Sequence, residues 1–398
     1  FTDDGASNKQ LVAVDPNNPE QKNWKKIIAE DKNALLEGVY TTGGKLFVKY
    51  LVNATNKLFV YDIDGKNKKE IALPGTGEIE IFPGKNTDKI LNYTYTSFNY
   101  PKSIFTFDVS SSYSKLFLKP DLKFNPEDYE SKQVWYKSKD GTKVSMFIVH
   151  KKGLVLNGQN PTFLYGYGGF SVNMSPTFSA SRIILLENGG VYAMPNLRGG
   201  AEYGEDWHKA GTLMQKQNVF DDFIAAAQYL IKEKYTSKEK LAIAGGSNGG
   251  LLVGACMVQR PDLFKVTFPA VGVMDMLKFH KFTIGYGWIS DYGSSEQSKE
   301  MFEYLKGYSP YHNIKPNVKY PATMVTTADH DDRVVPAHSF KFAARLQEYN
   351  VSNNPMLIRI GVNAGHGAGK PTSKTIEEET DKWSFFFWNL GYKSLLKK

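Results

Sequence analysis

The pentapeptide Gly245-Gly246-Ser247-Asn248-Gly249 fits G-x-S-x-G, a spacing that suits a serine nucleophile. Apolar residues 241–244 precede it and an apolar run from Leu251 follows, so the serine sits between a strand pattern and a helix pattern. The turn joining two such elements is tight, and small residues must flank the serine where the backbones approach. A chance match occurs in roughly one chain in seven of this length, so the strand-turn-helix context carries the reading. The competing reading is a glycine-rich turn that cradles phosphate. Neither G-x-x-x-x-G-K-[ST] nor a complete G-x-G-x-x-G is present to support it.

A serine hydroxyl attacks a carbonyl only when a base takes its proton, and an imidazole base needs a carboxylate to hold it. The chemistry implied is acyl transfer, with the acid and then the histidine following the serine along the chain. Downstream histidines are His280, His312, His330, His338 and His366. His366 lies in the glycine-rich stretch Asn363-Ala364-Gly365-His366-Gly367-Ala368-Gly369, after the last expected strand, where a base can reach back over a sheet. The acid should follow the strand before that one. Asp329, Asp331 and Asp332 all do, and spacing leaves the three open; the competing reading of all three is a polar loop in which one aspartate caps the following helix. Cys256, nine residues after Ser247, reads as a small buried apolar residue.

The elements that must position these groups fall into two textures. Residues 45–51, 58–62, 89–96 and 103–108 are rich in Val, Ile, Phe, Tyr and Thr, with turn signals such as Thr42-Gly43-Gly44 and Asp64-Gly65 between them. Short strands at this spacing suit a sandwich, a barrel or propeller blades. From about Pro161 apolar runs at 162–165, 191–194, 241–244, 322–326 and 356–360 alternate with amphipathic stretches such as 219–234 and 339–349. That alternation predicts an α/β domain with a mostly parallel twisted sheet and helices on both faces. Residues 125–153 read as a hinge followed by an antiparallel hairpin around Asp140-Gly141.

Composition narrows the function classes. With 41% hydrophobic and 23% charged residues in 398, the chain is neither disordered nor collagen-like and can bury a large core. No apolar stretch approaches the ~20 residues of a spanning helix. Net charge is 49 − 41 = +8, yet the lysines are scattered singly or in pairs, which argues for a solvated surface and against a nucleic-acid or membrane partner. No H-E-x-x-H or Cys/His cluster is present, so neither a metal nor an organic cofactor is expected.

Five stretches together resemble the prolyl oligopeptidase family of serine peptidases. They are Tyr165-Gly166-Tyr167-Gly168-Gly169-Phe170, Asn196-Leu197-Arg198-Gly199-Gly200 with Asp206-Trp207-His208-Lys209-Ala210-Gly211, the Gly245–Gly250 elbow, Asp329-His330-Asp331-Asp332-Arg333-Val334-Val335-Pro336 and Ala364-Gly365-His366-Gly367-Ala368-Gly369. The resemblance runs from about Val134 onward and is weaker in the N-terminal strands. It implies an α/β-hydrolase domain over 125–398, preceded over 1–124 by part of an all-β propeller. It also implies a serine peptidase that cleaves after proline in short peptides.

Carried over, the resemblance makes Ser247 the nucleophile, His366 the base and Asp331, among the three aspartates, its orienting acid. The Asn248 backbone N–H and the Tyr167 hydroxyl become the oxyanion donors. Trp288 would stack on the proline ring, with Phe170, Tyr292 and Val334 lining the pocket and Arg333 holding a substrate carbonyl. A family member carries a seven-bladed propeller behind a further N-terminal segment, whereas ~120 residues make two or three blades at ~40–45 residues each. The chain, which starts at Phe1 without Met or leader, is therefore expected to be part of a longer polypeptide. A related oligopeptidase, acylaminoacyl peptidase or esterase, or a silent truncated scaffold, stays open as an alternative. A monomer acting on short proline-containing peptides is expected. The periplasm is favoured over the cytoplasm by the pI near 9.0 and the apparent processing.

Overall fold

The structure, a computed structural model, describes residues 1–367 and 369–392. Ala368 of the histidine loop and residues 393–398 of the expected catalytic domain lie outside the described residues. The chain divides into two compact units. The first comprises Phe1–Tyr129 with Asn173–Ser179 and Ala201–Trp207, and the second holds the rest. The first unit thus runs five residues past the expected boundary at 124 and takes in two later segments.

In the first unit β1 (Leu11–Ala13) and β2 (Lys25–Ile28) make a small antiparallel pair. Two four-stranded meanders follow. One is β3 (Leu35–Thr42), β4 (Lys45–Val52), β5 (Thr55–Asp62) and β6 (Lys69–Ile71); the other is β7 (Glu78–Phe82), β8 (Ile90–Thr96), β9 (Ser103–Asp108) and β10 (Tyr113–Leu118). Strict alternation puts Ile79 and Ile81 of β7, and Phe105 and Phe107 of β9, on the inner face. There they share a core with Phe47 and Leu58 of the other sheet; the Phe47 and Phe107 rings meet edge to face at 5.6 Å. Two such sheets are what propeller blades require. Strands β3, β6, β7 and β10 were not apparent in the sequence because Glu, Lys and Gly interrupt their apolar runs.

The second unit is built on an eight-stranded sheet. Its strands are β11 (Tyr129–Lys137, whose first residue closes the other unit), β12 (Lys143–Lys151), β13 (Thr162–Tyr165), β14 (Val191–Pro195), β15 (Leu241–Gly246), β16 (Val266–Ala270), β17 (Ala322–Ala328) and β18 (Met356–Gly361). The order is β11-β12-β14-β13-β15-β16-β17-β18, antiparallel at β12–β14 and parallel from β14 to β18. The expected hairpin is present, closed by the Ser138 N–H donating to Thr142 O at 2.8 Å. Helices cover both faces, as register shows. Phe163 and Phe268 project to one side, where their rings meet Trp383, Phe386 and Phe385 of helix Thr372–Asn389 at 5.1–5.8 Å. Thr267 and Val325 project to the other, toward Met257 and Phe342. The second unit therefore has the expected α/β architecture, a mostly parallel sheet covered by helices on both faces.

Two buried polar clusters brace this unit. The Arg198 guanidinium donates from Nε and Nη2 to both oxygens of Asp222 at 2.6–3.2 Å and from Nη1 to Asp140 at 2.5 Å. Asp222 is fully buried, so each charge is tolerated because the other is there. His338 is also buried, and its Nδ1 accepts the Asp275 N–H at 3.1 Å, which requires a ring unprotonated at that nitrogen. Burial pushes its pKa from 6.5 down to about 4.

Truncating Asp222→Ala should therefore cost on the order of 3 kcal/mol in urea unfolding, because the buried Arg198 guanidinium keeps only the half-exposed Asp140 as its charge partner. The double variant Arg198→Met/Asp222→Leu should recover much of that loss, and equal losses in both would contradict the pairing argument. For His338 the unfolded chain takes up a proton below pH 6.5 that the folded chain refuses down to about 4. Stability should fall across that window by an amount on the order of 3 kcal/mol. The urea midpoint of His338→Gln should lose that part of the slope, and a slope identical to wild type would refute it.

Candidate active site

The site is assembled by neighbouring strand ends. β13 lies between β14 and β15, so the chain leaving β13 and the chain leaving β15 part at the carboxyl edge of the sheet, the place where open α/β sheets bind ligands. Tyr165 of β13 pairs in register with Ala244 of β15. That places Tyr167, two residues beyond β13, beside Ser247, the first residue beyond β15.

Ser247 has φ 59° and ψ −118°, a left-handed conformation that an L-residue adopts at a cost. The surrounding structure enforces it. The Ser247 N–H donates to Ala270 O at 2.9 Å, and the N–H groups of Gly250 and Leu251 donate to Ser247 O at 2.9 and 3.1 Å. A Cβ at Gly245 would lie 2.4 Å from Gly249 O, and one at Gly249 would lie 2.6 Å from Gly166 O. These contacts are the physical reason for both glycines of the motif. The following helix, Asn248–Gln259, begins at once, three residues before its expected start, because Gly249 and Gly250 fit its first turn. Asn248 is therefore the first helical residue, and its N–H is one of the donors a helix leaves unused at its N-terminus. Cys256 of this helix is fully buried with its Sγ 3.8 Å from Phe220 O, and burial raises the thiol pKa far above the ordinary value.

The loop after β17 presents Asp331 and the loop after β18 presents His366. His366 Nδ1 lies 2.7 and 2.9 Å from the two oxygens of Asp331. Asp331 is buried and its Oδ1 also accepts the N–H groups of Arg333 and Val334 at 3.0 and 2.9 Å. A carboxylate already serving two backbone donors offers the ring an acceptor, so Nδ1 carries the proton and Nε2 keeps its lone pair. Asp329 has a separate task. Its carboxylate accepts from Asn363 and Ala364 N–H and meets His330 Nδ1 at 2.8 Å, tying the two loops together. The His330 bond, ahead of the two backbone bonds, holds its pKa well below the usual carboxylate range. Asp332 is exposed. No hydrogen bond joins His366 to Ser247 among the described residues, a looseness expected before substrate arrives.

Tyr167 interacts with Ser247 through its hydroxyl, and burial raises its pKa above 10, so the phenol remains a donor at neutral pH. Beside them lies a cavity of about 310 Å³ lined by Tyr167, Phe170, Ser247, Val273, Ile284, Trp288, Tyr292 and Arg333. A larger cavity of about 480 Å³ surrounds Lys137, Asp221 and Arg260 but contains none of the reactive groups. The aromatic wall is interlocked. Phe170 meets Tyr292 edge to face at 5.2 Å, Tyr292 meets Phe279 likewise at 5.3 Å, and Phe279 stacks with Trp288 at 6.3 Å. Phe170 has φ 55° and is held there by its N–H donating to Asp291 Oδ2 at 2.9 Å.

Nine of the ten expected site residues gather here. Val334 does not line the cavity: its side chain is buried, 2% exposed, and its part is the backbone bond to Asp331. Several contributors carried no signal in the sequence. Val273, Phe279 and Ile284 come from an irregular stretch after β16, where apolar residues have no period to mark them. Asp291 stood inside a noticed motif, Gly287-Trp288-Ile289-Ser290-Asp291-Tyr292, without an evident task.

The chain is similar to known proteins along nearly its whole length. The family model described as Prolyl oligopeptidase family matches residues 176–393, and that for the prolyl oligopeptidase N-terminal beta-propeller domain matches residues 1–120. The chain is 54% identical over 395 residues to a prolyl endopeptidase of Elizabethkingia meningoseptica, covering 99% of this chain and 56% of that protein. It is 43% identical over 399 residues to prolyl oligopeptidase A of Amanita bisporigera, covering 98% and 52%. Among solved structures, one from a structural and mechanistic study of two prolyl endopeptidases superposes with a TM-score of 0.95 at 48% identity, covering 98% of this chain and 57% of that one. Prolyl oligopeptidase B of Galerina marginata, bound to a 35mer hydrolysis and macrocyclization substrate, gives 0.93 at 38%, covering 100% and 56%. The chain spans about half the length of the curated relatives it matches.

Tyr167→Phe removes one hydroxyl donor without changing the ring. It should lower the rate of Ser247 acylation by an activated ester about 10²–10³-fold while KM stays nearly constant. A wild-type rate in stopped-flow acylation would remove Tyr167 from the oxyanion site.

Proposed function

The chain belongs to the prolyl oligopeptidase family of serine peptidases, and from that premise we propose that it carries the catalytic apparatus of an endopeptidase cleaving after proline in short peptides. The observation that carries the reading is the aromatic cavity that opens on Ser247. Its wall combines Trp288, Phe170 and Tyr292 with Val273 and Ile284, and none of the described residues lining it is a carboxylate. A proline ring is compact and apolar and has no N–H, so burying it there strands no donor. A pocket for basic side chains would need an acidic residue, which disfavours that member of the alternatives.

In the mechanism, His366 Nε2 takes the proton as Ser247 Oγ attacks the carbonyl carbon of the proline residue. Asp331 holds the ring in the required tautomer and stabilises the imidazolium. The carbonyl oxygen becomes an oxyanion received by the Tyr167 hydroxyl and the Asn248 N–H, at the positive end of the helix Asn248–Gln259. His366 returns the proton to the departing amine, leaving an acyl-enzyme that water cleaves by the same steps reversed. Arg333, exposed at the cavity rim, is suited to hold a substrate backbone carbonyl.

The test compares blocked Gly-Pro, Gly-Ala and Gly-Arg fluorogenic amides on the full-length protein and its Ser247→Ala variant. Cleavage should strongly favour Gly-Pro and vanish in the variant. Equal rates on the three amides would leave a serine hydrolase without proline selectivity, and persistence of cleavage in Ser247→Ala would remove the nucleophile.

A further inference from the structure

The two oxyanion donors stand on different strand ends, Tyr167 after β13 and Asn248 after β15, and nothing in the sheet ladder fixes one loop against the other. Lys216, immediately before helix Gln217–Lys232, does. It is 1% exposed, a rare place for an ammonium. Its Nζ donates to Gly168 O, next to Tyr167, at 2.8 Å and to Asn248 Oδ1 at 3.1 Å. It also lies 5.3 Å from the centroid of the Tyr292 ring, inside cation–π range. The Asn248 side chain completes the link, donating from Nδ2 to Tyr167 O at 2.5 Å and accepting the Tyr292 hydroxyl at 2.8 Å. A Cβ at Gly169 would lie 2.7 Å from Asn248 Nδ2, so the two loops are also packed without spare room.

We propose that Lys216 is a positioning residue for acyl transfer: by bonding Gly168 O and Asn248 Oδ1 together, its ammonium sets the separation of the Tyr167 hydroxyl and the Asn248 N–H around the oxyanion. The proposal rests on the acyl-transfer reading of the site and not on selectivity for proline.

The charged and titratable groups facing Lys216 are few. Asp291 and Tyr292 come from helix Ile289–Tyr292, Tyr304 from helix Lys299–Tyr308, and Tyr167 from the loop after β13; His208 pairs with Asp291 at 2.8 Å. Burial lowers the Lys216 pKa from 10.5 to about 8, outweighing the favourable charge of Asp291. Burial raises the phenols of Tyr167, Tyr292 and Tyr304 above 10, so Lys216 loses its proton before any of them. Above pH 8 the two bonds cease to be charge-assisted and weaken, and the oxyanion site loosens.

The experiment follows acylation and turnover of p-nitrophenyl acetate, with the blocked Gly-Pro amide in parallel, from pH 6 to 10. It uses the full-length protein, Lys216→Met, Lys216→Arg, and Ser247→Ala as the blank. Ser247-dependent acylation should fall about 10²-fold in Lys216→Met with KM little changed, the loss typical of a displaced oxyanion donor. The wild-type rate should decline as pH rises through about 8. That decline should be absent from Lys216→Met and shifted to higher pH in Lys216→Arg, which keeps its charge. Wild-type acylation in Lys216→Met, or an alkaline decline unchanged in either variant, would overturn the proposal. If Lys216→Met does not fold, Lys216→Arg alone decides through the position of its decline. Ester acylation that depends on Lys216 without cleavage of the proline amide would uphold this inference and sink the proline reading. A wild type without Ser247-dependent acylation would instead sink the acyl-transfer reading and this inference with it.

Discussion

The left-handed turn at Ser247 is the constraint to which the rest of the catalytic unit is fitted. A serine at φ 59° is stable only where its surroundings leave no alternative. Here the strand Leu241–Gly246 and the helix Asn248–Gln259 leave no room for a side chain at Gly245 or Gly249. Both elements are almost wholly buried, so unwinding the turn would expose apolar surface on each side. In the proposed mechanism the strain has a use, because a turn of this kind presents the serine hydroxyl beyond the strand end, next to the first residue of the helix.

Around that turn, loops are anchored by polar bonds where no ladder is available. Asp331 holds its own loop and His366; Asp329 fastens the histidine loop to it; Asp291 holds Phe170; Lys216 joins the two donor loops. Three of these four groups are almost fully buried, Asp329 being the exposed one. A buried charge is expensive unless each of its bonds is made, so such anchors permit few alternative geometries. The aromatic wall is set differently, by ring contacts running from Phe170 through Tyr292 and Phe279 to Trp288. The polar anchors fix the reacting atoms, while the ring contacts shape the space offered to the substrate.

The sheets of the first unit obey a simpler rule. Two meanders present alternate residues inward, and aromatic and branched side chains from both fill one core. Their order follows from short turns between consecutive strands, which antiparallel pairing allows and parallel pairing does not.

The amino-acid sequence by itself determined the elements and the reactive types. The apolar runs of β13, β15 and β17 marked buried parallel strands, and the small residues around Ser247 marked the elbow, because steric exclusion acts on neighbours in the chain. Strands such as Glu78–Phe82 escaped notice, since half their residues face water and carry charge. Spacing left Asp329, Asp331 and Asp332 equivalent. The tertiary structure separated them: one carboxylate reaches the ring of His366, one ties the loops, and one is exposed. It also withdrew Val334 from the pocket and brought in Val273 and Ile284. Lys216 shows the difference most sharply. In Gln215-Lys216-Gln217-Asn218 it reads as one more solvated lysine, and only the packing of the helix Gln217–Lys232 against the loops after β13 and β15 buries it. Burial and partnership belong to residues distant in sequence, so they are settled when the chain closes on itself.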